Sequence, residues 1–191
     1  MALTTYVSGE ILTAQSLNDN LAYAVTVPAS TPGGLTLISA TTIGTAVTGV
    51  TVTGAFSATY DAYKIIISGG TASASNDNIK MKLGSTTSGY YAGWSGATFS
   101  SGANISSADN AASSWTTAGF TQTDGINFNL EIINPFLANK TFINGVQVAT
   151  VNARNFAGYL NDTTSYTAFT LTPNLGTLTG GNIRVYGYSN S

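Results

Sequence analysis

"NIKMKLG", residues 78–84, sets Ile79, Met81 and Leu83 against Asn78, Lys80 and Lys82. An apolar residue at every second position, with amide or ammonium between, is the pattern of a strand with one face in a core and the other in water. The same period spreads outward from it. "AYKIIIS" (62–68) and "AVTGVTVTG" (46–54) precede it, behind "GLTLIS" (34–39). Downstream, "INFNLEII" (126–133) puts Ile126, Phe128, Leu130 and Ile132 on one side and Asn127, Asn129 and Glu131 on the other. "KTFINGVQVATVNAR" (140–154), breaking near Gly145 if it is two strands, "SYTAFTLTP" (165–173) and "GGNIRVYGY" (180–188) complete the set.

Residues 86–120 alternate weakly among Gly, Ser and Ala and predict short strands joined by long loops. Eight or nine strands with frequent turn signals and almost no helix predict an all-β, antiparallel β-sandwich, jelly-roll-like in preference to a barrel. No repeat of fixed period argues for a propeller or β-helix.

The chain of 191 residues fits one domain with an accessory segment. Its charged fraction is 7%, against about a quarter in ordinary soluble domains, and Gly, Ser, Thr and Asn take the place of the ions. Six basic against eight acidic residues leave no basic patch for phosphate backbones or anionic lipid, so no nucleic-acid partner and no membrane insertion are expected. Without Cys or His there is no disulfide, no thiol chemistry and no imidazole base or metal ligand. No apolar run reaches the length of a membrane helix and Met1–Thr5 lack the form of a signal peptide, so synthesis in a cytoplasm is expected.

The start of the chain differs from the rest. Thr13 can cap a helix from about Ala14 to Ala24, with Leu17 and Leu21 at i and i+4 beside Ala14 and Ala24. So short a helix is marginal alone and needs a surface to pack on. "VPASTPGGL" then breaks it. The expected organisation is a segment at 1–27 with a short helical anchor, a linker at 28–34 and a β-sandwich head at 35–191.

Several of these residues form a pattern that resembles a domain widespread in tailed-bacteriophage fibre and related virion proteins. Tyr60, Asp61, Tyr63, Ile65, Ile67, Met81, Leu83 and Tyr90 fall in "FSATYDAYKIIISGGTASASNDNIKMKLGSTTSGYY", which is similar to the opening of that domain. Gly180, Gly181, Ile183, Val185, Tyr186 and Gly187 are similar to its closing strand, and "INFNLEIINPFLANKTFINGV" resembles its strand, Asn-Pro turn and next strand. The likeness spans about Gly54 to Ser191. In "YVSGEILTAQSLNDNLAYA", Gly9, Leu12, Thr13, Ala14, Leu17 and Asn18 resemble the virion-attached start of tail fibres. One departure is that only about thirty residues separate the two phrases, with no heptad shaft between them.

The resemblance implies a bacteriophage virion structural protein, a short fibre, a tail-tip module or a head-bound decoration; the expected form is a short tail fibre without enzymatic activity or cofactor, assembled in a bacterial cytoplasm and carried on the virion. Leu12, Leu17, Leu21 and Tyr23 would attach it to tail or capsid proteins, and its head, as a homotrimer, would adhere to host-surface glycan. The alternative is a capsid decoration protein that stabilises the head of the particle. For the receptor the candidates are Tyr90, Tyr91, Trp94, Phe99, Trp115 and Phe120, rings set among Ser, Gly and Asn that can stack on sugar faces or plug a core or interface.

The remaining motifs favour bland roles. Asp19, Asp61, Asp77, Asp109, Asp124, Asp162, Glu10 and Glu131 could supply a glycosidase pair, but several sit in turn contexts where Asp binds backbone donors. "SNDN" and "SADN" lack the spacing of a calcium loop, and the Gly pairs in "SGG" and "TGGN" lack a following Lys or third Gly for phosphate. Arg154 and Arg184, the chain's two arginines, suit subunit contacts or a solvated strand surface.

Overall fold

A computed structural model of the chain describes Gln15 and residues 34–189. The expected anchor helix, with Leu12, Leu17, Leu21 and Tyr23, and most of the linker lie outside the described residues. From Gly34 onward the chain is one compact unit of antiparallel β-structure.

Fourteen strands follow in order: β1 (Leu35–Thr42), β2 (Val50–Val52), β3 (Ala62–Ser68), β4 (Thr71–Ala72), β5 (Asp77–Leu83), β6 (Tyr90–Thr98), β7 (Asn104–Ala112), β8 (Trp115–Thr121), β9 (Phe128–Ile133), β10 (Thr141–Val148), β11 (Asn152–Leu160), β12 (Phe169–Pro173), β13 (Leu178–Thr179) and β14 (Asn182–Tyr188). A large sheet runs β1-β14-β3-β9-β10-β11-β6-β7, a smaller one β2-β12-β5-β8, and β13-β4 pair separately. The two main sheets share one core, as in a β-sandwich. It is built from Tyr63, Ile65, Leu130 and Ile132 of the large sheet and Met81, Leu83, Phe169 and Leu171 of the small one.

The alternation that announced β5 is kept: Ile79, Met81 and Leu83 are buried, and the lysines between them are half-buried. β3 and β9 obey the same rule and lie side by side, with Ile65 opposite Leu130. Tyr63 is fully buried, and its hydroxyl donates to Ser57 O at 2.7 Å while accepting from Ser57 N at 2.9 Å, which pins the chain before β3. Burying a ring that carries a hydroxyl is stable only with such partners.

Residues 86–120 depart from expectation. They form two nine-residue strands and a seven-residue one, joined by short turns. Gly, Ser and Ala hide the alternation because β7 is an edge strand, exposed along much of its length, and needs few large side chains.

β8 is also an edge strand of its sheet, yet it is buried almost throughout. Its register against β5 shifts between Ile79 and Met81. Backbone groups freed by the shift find side-chain partners on the large sheet. Thr116 N donates to Asp109 Oδ2 on β7 at 2.8 Å, and Gln147 Nε2 on β10 donates to Thr117 O at 2.5 Å. Polar residues inside β10 and β7 thus replace ladder bonds that β8 lacks.

Candidate functional site

The six aromatic candidates separate into distinct environments. Tyr90 and Trp115 are fully buried and meet edge to face with centroids 5.0 Å apart. Leu83 N donates to the Tyr90 hydroxyl at 2.9 Å, and burial pushes that phenol's pKa well above its ordinary value. Both rings hold the core together and meet no solvent.

Trp94 and Phe120 clamp Arg154, whose guanidinium carbon stands 4.2 Å from each ring centroid. Arg154 Nη1 donates to Asn78 Oδ1 at 3.4 Å, and its Nε has no partner among the described residues. Burial lowers the Arg154 pKa from its usual value. The stack joins β6, β11, β5 and β8, so Arg154 ties the two sheets together through cation–π contact. Arg184 behaves differently, with Nη1 donating to Ser68 Oγ at 3.0 Å across β14 and β3.

Tyr91 points to the outward face of the large sheet and stacks on Tyr159 at 5.0 Å and 7°, with Lys140 Nζ 5.4 Å from the Tyr159 centroid. This cluster lies at the end of the sheet where Leu35 enters, since Leu35 pairs with Tyr188 while Phe142, Tyr159 and Tyr91 pair in turn across β10, β11 and β6.

Phe99 is 57% exposed and sits at the opposite end. Its N donates to Val151 O at 2.9 Å, which places the turn after β6 beside the turn between β10 and β11. Next to Val151 is a cup of about 270 Å³ lined by Gln122, Asp124, Asn127, Val148, Ala149 and Thr150. Thr150 Oγ1 donates to Gln122 Oε1 at 3.1 Å, and Gln122 Nε2 to Asn76 Oδ1 at 3.3 Å, so buried Gln122 orients the hydroxyl at the rim. The turns Gly69–Gly70 and Gly180–Gly181 close the same end; each of these glycines has φ between 68° and 82°, the left-handed region that only glycine enters freely.

This end therefore carries an exposed ring, the exposed aliphatic Val151, the carboxylate of Asp124, the amide of Asn127 and the hydroxyl of Thr150 on adjacent turns. Such a mixture stacks on an apolar sugar face and exchanges hydrogen bonds with its hydroxyls. Phe99 was legible in the sequence as part of an aromatic, Gly-rich stretch; the cup was not, because its residues come from separate turns without a motif.

Four carboxylates have local work. Asp109 takes Thr116, Glu131 takes Lys64 and Tyr188, and Asp77 takes Asn78 N and Asn174 Nδ2. Asp162 takes Thr164 N and the hydroxyls of Thr164 and Tyr166, and these bonds lower its pKa. Comparison with protein-family models, curated proteins and solved structures finds no match for this chain.

Proposed function

We propose that the chain is a non-enzymatic virion structural protein of a tailed bacteriophage, a short fibre attached by its leading segment and presenting a jelly-roll-like head for adhesion to a host-surface glycan. The observation that carries the adhesive part is the placement of exposed Phe99 and the Gln122–Thr150 cup at the end of the large sheet opposite Gly34, where the chain enters. A head held by its entry end displays that tip outward.

A shallow cup of this size holds a single sugar ring weakly, and adhesion then comes from several heads acting together, each later contact being intramolecular at high effective concentration. The sequence resemblance to fibre proteins supports the virion setting, and the short interval before the head fits a short fibre.

Replacing the turn Phe99–Ala103 with a Gly-Ser turn in a phage that carries this chain tests the reading. Adsorption to host cells is expected to fall at least tenfold with the particle intact. Unchanged adsorption, with the chain located by imaging on the capsid shell, would favour the decoration protein instead.

A further inference from the structure

Several polar groups around the cup beside Val151 are already paired, which leaves a short inventory for a ligand. Gln122 is buried and held at both ends of its amide: Nε2 donates to Asn76 Oδ1 at 3.3 Å, and Oε1 accepts from Thr150 Oγ1 at 3.1 Å. Its main-chain O accepts from Ala72 N at 2.7 Å. Thr150 has thus given its hydroxyl hydrogen to Gln122, and towards a ligand its oxygen accepts. Asn127 Oδ1 accepts from Gly69 N at 3.4 Å, which leaves Nδ2 to donate.

Asp124 is exposed, and its carboxylate has no hydrogen-bond partner among the described residues. A Cβ on Gly125 would stand 3.4 Å from Asn127 Nδ2, so that donor lies next to the turn that carries the carboxylate. What remains free is two carboxylate oxygens and one hydroxyl oxygen that accept, against one amide that donates.

The charge is equally one-sided. All six lysines and arginines lie among the described residues, and none lines the cup. Lys64 faces Glu131, Arg184 is bonded to Ser68, Arg154 is held between Trp94 and Phe120, and Lys140 stands over Tyr159 at the other end of the sheet. Lys80 and Lys82 line a depression on the small sheet with Thr170 and Thr172. Asp124 is therefore a charge in the cup that no neighbouring cation offsets.

We infer that the cup takes a neutral sugar ring through two adjacent hydroxyls and turns away rings that carry a carboxylate. A vicinal diol presents two O–H donors side by side, and the two oxygens of one carboxylate accept both as charge-assisted bonds. Asn127 Nδ2 donates to an oxygen of the same ring, Thr150 Oγ1 accepts from a further hydroxyl, and Val148 with Ala149 lies against the apolar face. An acidic sugar sets a second carboxylate near Asp124, and with one donor and no cation in the cup the repulsion stands uncompensated. The inference rests on the reading of this tip as a glycan site and names the class of glycan.

Titration of the isotope-labelled full chain, followed through the backbone amide signals of Asp124, Asn127 and Thr150, tests it with two matched pairs of ligands. These are methyl β-D-glucoside against methyl β-D-glucuronide, and methyl β-D-galactoside against methyl β-D-galacturonide; within a pair only the group at C6 changes, from hydroxymethyl to carboxylate. At low ionic strength at least one neutral glycoside is expected to shift the three signals, and its acidic partner to bind weaker by roughly threefold or more, the gap narrowing as salt is added. Asp124→Asn, on an exposed turn, should weaken the neutral glycoside and remove the gap. An acidic partner that binds as tightly as the neutral one, or a gap that Asp124→Asn leaves unchanged, would overturn the inference and leave the tip a sugar site. No shift from any of the four glycosides would sink the sugar cup itself, and this inference with it.

Discussion

β9 and β10 are neighbours in one sheet, paired from Phe142↔Ile133 to Gln147↔Phe128, and they place most of their apolar residues on opposite faces. β9 buries Phe128, Leu130 and Ile132 and turns Asn129, Glu131 and the terminal Ile133 outward. β10 buries Thr141, Gly145 and Gln147 with one isoleucine, and turns Phe142, Val146 and Val148 outward. The first pattern is dictated by one core and water. The second serves the unpaired backbone of β8 on the inside and leaves Phe142, Val146 and Val148 exposed on the outside.

The contrast can be broken in steps. Leu130→Ala removes a fully buried side chain and is expected to destabilise the head by about 2–5 kcal/mol, whereas Val146→Ala in β10 should shift the unfolding of the isolated head by less than about 0.5 kcal/mol. Equal losses in a denaturant titration would show that β10's outward column belongs to the core. Gln147→Ala comes next, expected at about 1–3 kcal/mol because the Thr117 carbonyl loses its buried partner. No loss would mean that the inverted polarity of β10 does not serve β8.

Phe99→Ala should leave unfolding unchanged while adsorption of the carrying phage falls, which would separate the tip from both faces of β10. Loss of stability comparable to Leu130→Ala would place Phe99 in the fold instead.

The smallest effect is one of pH. The hydrogen bond to Glu131, with burial and that carboxylate's charge adding to it, raises Tyr188 to about 12. A folded-state pKa above the unfolded value means that the phenol stabilises the fold fully below about pH 10. That contribution is lost as pH rises from about 10 to 12. Glu131→Gln should flatten this alkaline slope in thermal unfolding, and an unchanged slope would assign it to other tyrosines.

How much of this was legible in the sequence depended on how many demands each residue met. β3, β5 and β9 face one core and one solvated side, so Ile65, Met81 and Leu130 declare themselves by alternation alone. β6, β7 and β8 did not, since Gly93, Ser95 and Ala97 serve a flat outer face and β8 is covered all round. In β10 the alternation was visible but its sense was not, because Gln147 is buried by a partner that lies thirty residues away along the chain. The aromatic candidates show the same limit. Tyr90, Trp115 and Phe120 are buried, Trp94 is held on Arg154, and Phe99 alone of the six is strongly exposed; composition does not reveal on which side of a strand a ring falls. The anchor residues Leu12, Leu17, Leu21 and Tyr23 lie outside the described residues.

The most direct test of whether another surface covers the outward column of β10 is thiol accessibility in single-cysteine chains, since the native sequence has none. Phe99→Cys should react with a maleimide at the same rate at every protein concentration, while Val146→Cys should be protected at least tenfold at high micromolar concentration and become reactive on dilution. Equal, concentration-independent rates at the two positions would contradict the account.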